Sequence, residues 1–592
     1  MVKPRNRKWL GVLLAAALAV SVGLPGLYNP VVSADEGQEA TTTDITKSVT
    51  DQTEPGTEQS GSDTGQSEPE TGQTETETEY GTNREANNDE MLPLYSTVLQ
   101  QWLDSGATTE HGGQFTIWGK DFLPESNVNA TVGSYRGKDN VLIWTPERYE
   151  TIHYQIDVKE AGLYVIDVSY HPSMEVARKN DDVSWEIQID GQTPYRESGY
   201  VPLYRMWQDP HEHRKNPETG DEIRPKAEDI STWMEATLHD KNGDYSDPLM
   251  WYLTPGTHTF SIFTKQPVVI ESITFRAPDK IEDYETVRAS WPEKQSMSEI
   301  EPIMIEAEFH AWKNQSSIPL AYNNDIMSTP YELGKRIFNV VDGARWASNA
   351  DEITWEFEVP ESGYYKIALR AQQNFVSNKS SFRTILINGK VPFDEMKEYR
   401  FDYNSGWKSL VIQDEDGNPY EFYLEKGKNT LTMRVTKAPV KPIINELQAI
   451  TEDISNFIYD INKFTGGVND SNRVYRLREE WPAAITFVEQ LRDRLIAVRD
   501  QVEEVNGRKD AVSQGLETAI QDLIAVLKNE NNIPKEAGTF STISGNLGTY
   551  ISQLETQPLQ LDRLVVVPAD QKVPRLTATF WEKVKGGFIN FF

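Results

Sequence analysis

Four aromatic residues, Trp346, Trp407, Trp233 and Tyr135, stand near predicted loops or strand ends. An aromatic face can take the C–H surface of a sugar ring while polar neighbours take its hydroxyls. Arg345, beside Trp346, and Asn349 are plausible hydroxyl partners. For Trp233 and Trp407 a core position is the favoured reading, because they occupy the same place in two copies of a repeat. Metal chemistry has less support. His211-x-His213, with Asp209 and Glu212, would put two rings on one face of a strand, but no third ligand is identifiable and a polar surface loop is the expected state. Asp240 to Asp244 and Asp414 to Asn418 look like calcium loops short of ligands, and hairpin turns describe them better. No spacing among the 91 acidic residues singles out a hydrolytic carboxylate pair. No Ser/His/Asp, phosphate-loop or metal-hydrolase pattern stands out.

These residues are carried by a repeat. Tyr154-Gln-Ile-Asp-Val-Lys-Glu-Ala-Gly162-Leu-Tyr164 matches Trp355-Glu-Phe-Glu-Val-Pro-Glu-Ser-Gly363-Tyr-Tyr365. In the same order, Ile187 to Tyr195 matches Ile385 to Phe393, Trp233 to Gly243 matches Trp407 to Gly417, and Tyr252 to Phe260 matches Tyr423 to Leu431. Four ordered pairs indicate two copies of one module. A duplicated small module points to binding rather than to a single catalytic centre. Period-two alternation (Ile152, Tyr154, Ile156, Val158; Tyr164, Ile166, Val168) marks strands with one buried face, and Asp190-Gly191 and Asn242-Gly243 are hairpin-turn signals. Many short strands with such turns predict antiparallel β-sandwiches.

The chain has 592 residues, no cysteine and a formal net charge of −33. The missing thiols exclude disulfides, a thiolate metal site, a cysteine nucleophile and lipid attachment through cysteine, and in an exported chain they fit a bacterial source. The negative charge makes nucleic acid a poor partner. Lys3, Arg5, Arg7 and Lys8, the apolar run Trp9 to Leu24 and Val32-Ser-Ala34 read as a signal peptide over 1–34, and the protein is expected to be secreted. Residues 35–90, rich in Glu, Thr, Gly, Gln, Ser and Asp, predict a disordered acidic linker.

The first module spans 91–280 and opens with a helix, Met91 to Leu103. The second spans 301–441 plus 557–568, because the closing strand of the first, Gln266 to Phe275, finds its best match at Gln557-Pro-Leu-Gln-Leu561-Asp562-Arg-Leu564-Val-Val566. Between them, Ile443, Leu447, Ile450, Ile454, Phe457 and Ile461 recur at helical steps, and Val488, Leu491, Leu495, Val498, Val502 and Val505 form a second stripe ended by Asn506-Gly507. A helical bundle over 442–556, inserted before the last strand of module two, is the prediction; the alternative is a bundle appended to a complete sandwich. Residues 569–592 end in an aromatic, amphipathic segment that suits a membrane surface or a missing partner domain.

Ile305-Glu306-Ala-Glu308, Val359-Pro-Glu-Ser-Gly363-Tyr-Tyr365 and the closing Leu561-Asp562 resemble family 6 and family 35 carbohydrate-binding modules, the galactose-binding-like jelly rolls. Over about residues 90–592 the arrangement is similar to the N-terminal portion of large extracellular solute-binding proteins of carbohydrate ABC transporters in Paenibacillus-type bacteria, through Gln557 to Asp562 and Pro574-Arg575…Phe580-Trp-Glu-Lys583. The solute-binding domain expected afterwards is not in this sequence. The resemblance implies a structural calcium in module two, held by Glu306, Glu308 and Asp562. Module one, whose matching start Thr116-Ile-Trp-Gly-Lys-Asp121 lacks the paired Glu, is expected to have none. It also implies a non-catalytic, cell-surface carbohydrate-binding protein that captures polysaccharide or oligosaccharide for sugar uptake beside a transporter permease or a separate solute-binding domain. The alternatives are an adhesive or structural surface scaffold and a glycan-active enzyme.

Overall fold

The computed structural model describes residues 92–591 apart from 127, 173–181 and 469–471, so the expected signal peptide and acidic linker lie outside the described residues. Alternating apolar residues build two antiparallel sandwiches, each with its own core, and the helical periodicity builds a third core. In the first sandwich one sheet runs in the order Met234–Thr237, Gly162–His171, Val268–Arg276, Lys138–Trp144, Ala130–Tyr135, and faces the strands Glu150–Val158, Gly256–Thr264, Val183–Ile189 and Val201–Leu203. Ile156, Ile187 and Ile262 meet Ile166, Ile273 and Phe275 between the two layers.

The repeat holds in register. Val158 lies opposite Gly256 and Val359 opposite Gly427; Ile262 lies opposite Ile187 and Met433 opposite Ile385. The Glu-x-Gly-x-Tyr pattern has a common cause in both copies. Tyr164 donates its hydroxyl proton to the Glu160 carbonyl and Tyr365 does the same to Glu361, each at 2.7 Å. A Cβ on Gly162 would stand 2.2 Å from the His111 ring, and one on Gly363 would stand 2.3 Å from Met297 Sδ, so only glycine lets the preceding segment cross there.

After the strand Gly427–Val435 the chain leaves the second sandwich. It forms the helices Lys441–Thr465, Pro482–Asn506, Ala511–Leu527 and Ala537–Glu555, then returns as Gln560–Pro568. That strand sits beside Gly363–Gln373 on one edge and Phe338–Val341 and Ile303–Glu306 on the other, completing the sheet. Leu369 faces Leu564 as Val168 faces Ile273, and a bulge leaves Asp562 unpaired just as it leaves Glu271 unpaired in the first copy. The helical block is therefore inserted, not appended. Its buried stripe is the expected one, with Ile443, Leu447, Ile450, Ile454 and Phe457 inside, and Gly507 caps Pro482–Asn506 in the left-handed conformation at φ 68°.

Lys379 pins the block to the sandwich. It is fully buried, and its ammonium donates to the carbonyls of Gln553, Leu554 and Thr556 at the end of the helix Ala537–Glu555. Burial pushes its pKa down to about 7. Lys379→Met strips those carbonyls of their donor, and a loss of about 2–4 kcal/mol is expected in a denaturant melt.

The stretch between Gly191 and Trp233, expected as a polar surface loop, instead clamps the two sandwiches together. Trp207–Gln208 pairs with Trp312–Lys313 and, with Glu228–Asp229, extends the second sandwich's sheet. Asp209 and Lys313, both buried, form an ion pair at 2.7 Å. Glu222 accepts from the Phe338 amide at 2.8 Å and pairs with His213 at 2.8 Å, while the ring of His211 packs on Phe309. The two histidines thus serve different contacts rather than one metal. At the far end, the helix Phe580–Phe591 leaves Phe580 and Trp581 exposed. Among the described residues no helix is long and apolar enough to cross a membrane.

Candidate functional site

Strand geometry brings two of the candidate aromatics together on the outward face of the first sandwich. Met234 packs toward the core opposite Tyr170, so Trp233, one residue earlier, points the other way. Tyr135 comes from the neighbouring hairpin, where Arg136 and Gly137 (φ 44° and 86°) make a two-residue turn that sets Tyr135 opposite Lys138. The Tyr135 and Trp233 rings meet edge to face with centroids 6.5 Å apart, and buried His171 lies beneath both, at 5.0 Å and 5.7 Å. Desolvation holds the His171 pKa below its usual value, which keeps the ring neutral.

Polar groups frame this pair. Lys138 Nζ sits 4.5 Å from the centre of the Trp233 ring and forms an ion pair with Glu271. Ser169 donates to the same carboxylate at 2.7 Å, and the Trp233 indole donates to the Arg136 carbonyl at 3.2 Å. Partial burial alone would raise the Glu271 pKa; Lys138 and Ser169 outweigh it and hold the carboxyl below its ordinary range. Two half-buried rings beside a fixed cation and anion can stack a sugar and bond its hydroxyls. Sequence reasoning missed Lys138, Ser169 and His171 as partners. Glu271 was recoverable, since the closing-strand match pairs it with Asp562.

The second copy keeps the tryptophan and changes its surroundings. Arg370 lies 4.6 Å over the Trp407 ring and bonds Asp562 at 2.9 Å, so a cation tied to the bulge carboxylate sits on the repeated tryptophan in both modules. Here, however, residues 323–337 replace the two-residue turn, and Asp325 and Ser328 from that segment take the Arg370 guanidinium at 2.7 Å and 2.9 Å. Trp407 is half-buried, and the cation over it belongs to a buried polar network. Trp346 is a correction. It is fully buried between Trp355 and Arg383, donates its indole N–H to the Asp351 carbonyl at 3.2 Å, and has no face for a ligand. Arg345 and Asn349 are exposed, so the expected grouping with Trp346 does not form.

The calcium set fits in one member. Glu308 is buried, neither carboxylate oxygen has a hydrogen-bond partner, and burial, then the nearby Glu306 and Asp562 charges, push its pKa up to about 9. An orphaned carboxylate of this kind suits a hard cation. Glu306, however, is held by Arg563 at 2.9 Å and 3.0 Å, and Asp562 by Arg370. Among the described residues no three Asp, Glu, His or Cys side chains gather closely enough to hold an ion.

Solved structures similar to parts of the chain include a family 35 carbohydrate-binding module from Clostridium thermocellum (10% identity, 27% of this chain and 96% of that one, TM-score 0.17). The C-terminal family 6 module of LamC, a laminarinase from Zobellia galactanivorans (14% identity, 28% and 98%, TM-score 0.17), is another. A third is a family 35 module from Paenibacillus barcinonensis (16% identity, 28% and 98%, TM-score 0.16). No curated protein matches the chain. Residues 442–557, the block inserted into the second sandwich, match the four-helix bundle domain of bacterial solute-binding proteins.

Proposed function

We propose that this is a non-catalytic, extracellular carbohydrate-binding protein held at the cell surface, which captures polysaccharide or oligosaccharide for an ABC-type uptake system. The observation that carries the reading is the Tyr135–Trp233 pair framed by Lys138 and Glu271 on the first sandwich. The bundle match supports the link to solute uptake, with a transporter permease or a separate solute-binding domain as partner. The second sandwich serves structurally, because Arg370, tied to Asp325 and Ser328, lies over its tryptophan. Calcium belongs to the same reading through Glu308 alone of the expected three, since an ion would give its buried carboxylate the partner it lacks.

The test is a glycan array probed with the full chain. Saturable binding is expected, with Trp233→Ala weakening it at least ~10-fold, roughly 1.4 kcal/mol, and Trp407→Ala leaving the affinity unchanged. Binding to no plant or microbial polysaccharide would remove the carbohydrate reading and favour a display scaffold.

A further inference from the structure

A cavity of about 430 Å³ opens where the two sandwiches meet the helical block, within the size range of small-molecule sites. Its walls come from three distant parts of the chain. Asn242 and Asp244 belong to a turn of the first sandwich, Ser348 and Asn349 to a loop of the second, and Asn445 and Gln448 to the opening turns of the helix Lys441–Thr465. Amides offer both donors and acceptors, as sugar hydroxyls do.

Part of the charge at the cavity is spent internally, while Arg196 and Glu555 also line it. Buried Asp244 is gripped by Lys437 at 3.0 Å and Lys441 at 2.8 Å, which outweigh desolvation and keep its carboxyl below the ordinary range. Beside Arg196 and Glu555, the amides offer a ligand hydroxyl-type recognition. The Asn445 Oδ1 is buried with no donor to accept from, the kind of acceptor that a ligand hydroxyl or an ordered water satisfies. The wall is also strained. Asn349 and Ala350 hold φ of 55° and 52°, consecutive left-handed residues without glycine. Ala350 is locked there by the turn of the first sandwich, so close that a Cβ on Gly243 would stand 3.1 Å from the Ala350 nitrogen. Strain over-determined by packing clusters at ligand sites.

We propose that this junction is a second saccharide site, taking one or two sugar rings through hydroxyl–amide hydrogen bonds and tying both sandwiches to the helical block when filled. It shares no residue with the Tyr135–Trp233 face and does not depend on it.

The test is calorimetry and thermal melting of the full chain with neutral aldoses and their α- and β-1,4-linked disaccharides. One or more should bind and raise Tm. Asn445→Leu and Gln448→Ala should each weaken that binding at least 10-fold while Trp233→Ala leaves it intact. Gln448 is exposed, so its variant reads binding even where Asn445→Leu perturbs the fold. If no small saccharide binds, or if all binding is lost in Trp233→Ala and unchanged in the junction variants, the junction site is overturned. Loss in the junction variants beside an inert Trp233→Ala sustains this site and leaves the surface site to its own glycan-array test.

Discussion

Arg370→Met is expected to lower the unfolding midpoint of the second sandwich by roughly 6–20 °C, from about 3–5 kcal/mol for orphaning a buried charge and about 2–4 °C per kcal/mol for a unit of this size. Arg370 and Asp562 are both fully buried and 2.9 Å apart. Without the guanidinium, Asp562 loses its ion pair, Asp325 and Ser328 lose their donor, and the Trp407 ring loses the cation over it. Removing both charges is a different matter, because apolar replacements of a whole buried pair are often neutral. The double variant Arg370→Met, Asp562→Leu should therefore regain at least half of the lost stability in scanning calorimetry. A single variant that melts within 2 °C of the wild type, a shift of about 1 kcal/mol or less, would show that the pair is not holding the module together.

Glu308 should make stability depend on pH in a direction opposite to that of most carboxylates. Its folded pKa of about 9 lies above the usual value of 4.5, so the folded state binds the extra proton. The contribution is fully present below about pH 4.5 and is lost as pH rises towards 9. In calcium-free buffer the wild type should lose several kcal/mol over that window, an order-of-magnitude figure from the linkage relation. Glu308→Gln, which never ionises, should show a much flatter profile and melt higher than the wild type at pH 8. Added calcium should then raise the wild-type Tm at pH 8 and leave Glu308→Gln unmoved. A calcium effect equal in both proteins would remove Glu308 from any ion site, and a flat wild-type profile would show that its carboxylate is not desolvated.

Glu308 and Asp562 came into view from the sequence without their surroundings, and Arg370 did not come into view at all. The duplicated strand patterns determined the two sandwiches, because period-two alternation with turn residues leaves few alternatives for burying one face. The match of Gln557 to Val566 with Gln266 to Phe275 pointed to a helical block inside the second sandwich, and the structure adds the bulge that leaves Glu271 and Asp562 unpaired. Helical spacing likewise determined the buried stripe of the block. The proposed ligand face was only partly legible. Trp233 and Tyr135 could be named, but an aromatic residue near a strand end can point to either face, and Trp346 turned into the core while Trp233 turned out of it. Lys138 reaches Trp233 from another strand, held by Ser169 and Glu271, and Arg370 reaches Trp407 in a place that Lys138 takes in the first copy. The longer stretch after Gly191 could be seen as an excess over the second copy, yet not as a clamp, since its strand has no pattern until Trp312–Lys313 supplies the partner edge. Local periodicity is written along the chain and sets which face of an element is buried. Which charged group lies over which ring, and what lines the cavity between the sandwiches and the helices, are settled by contacts between residues far apart in sequence, and only the packed structure decides them.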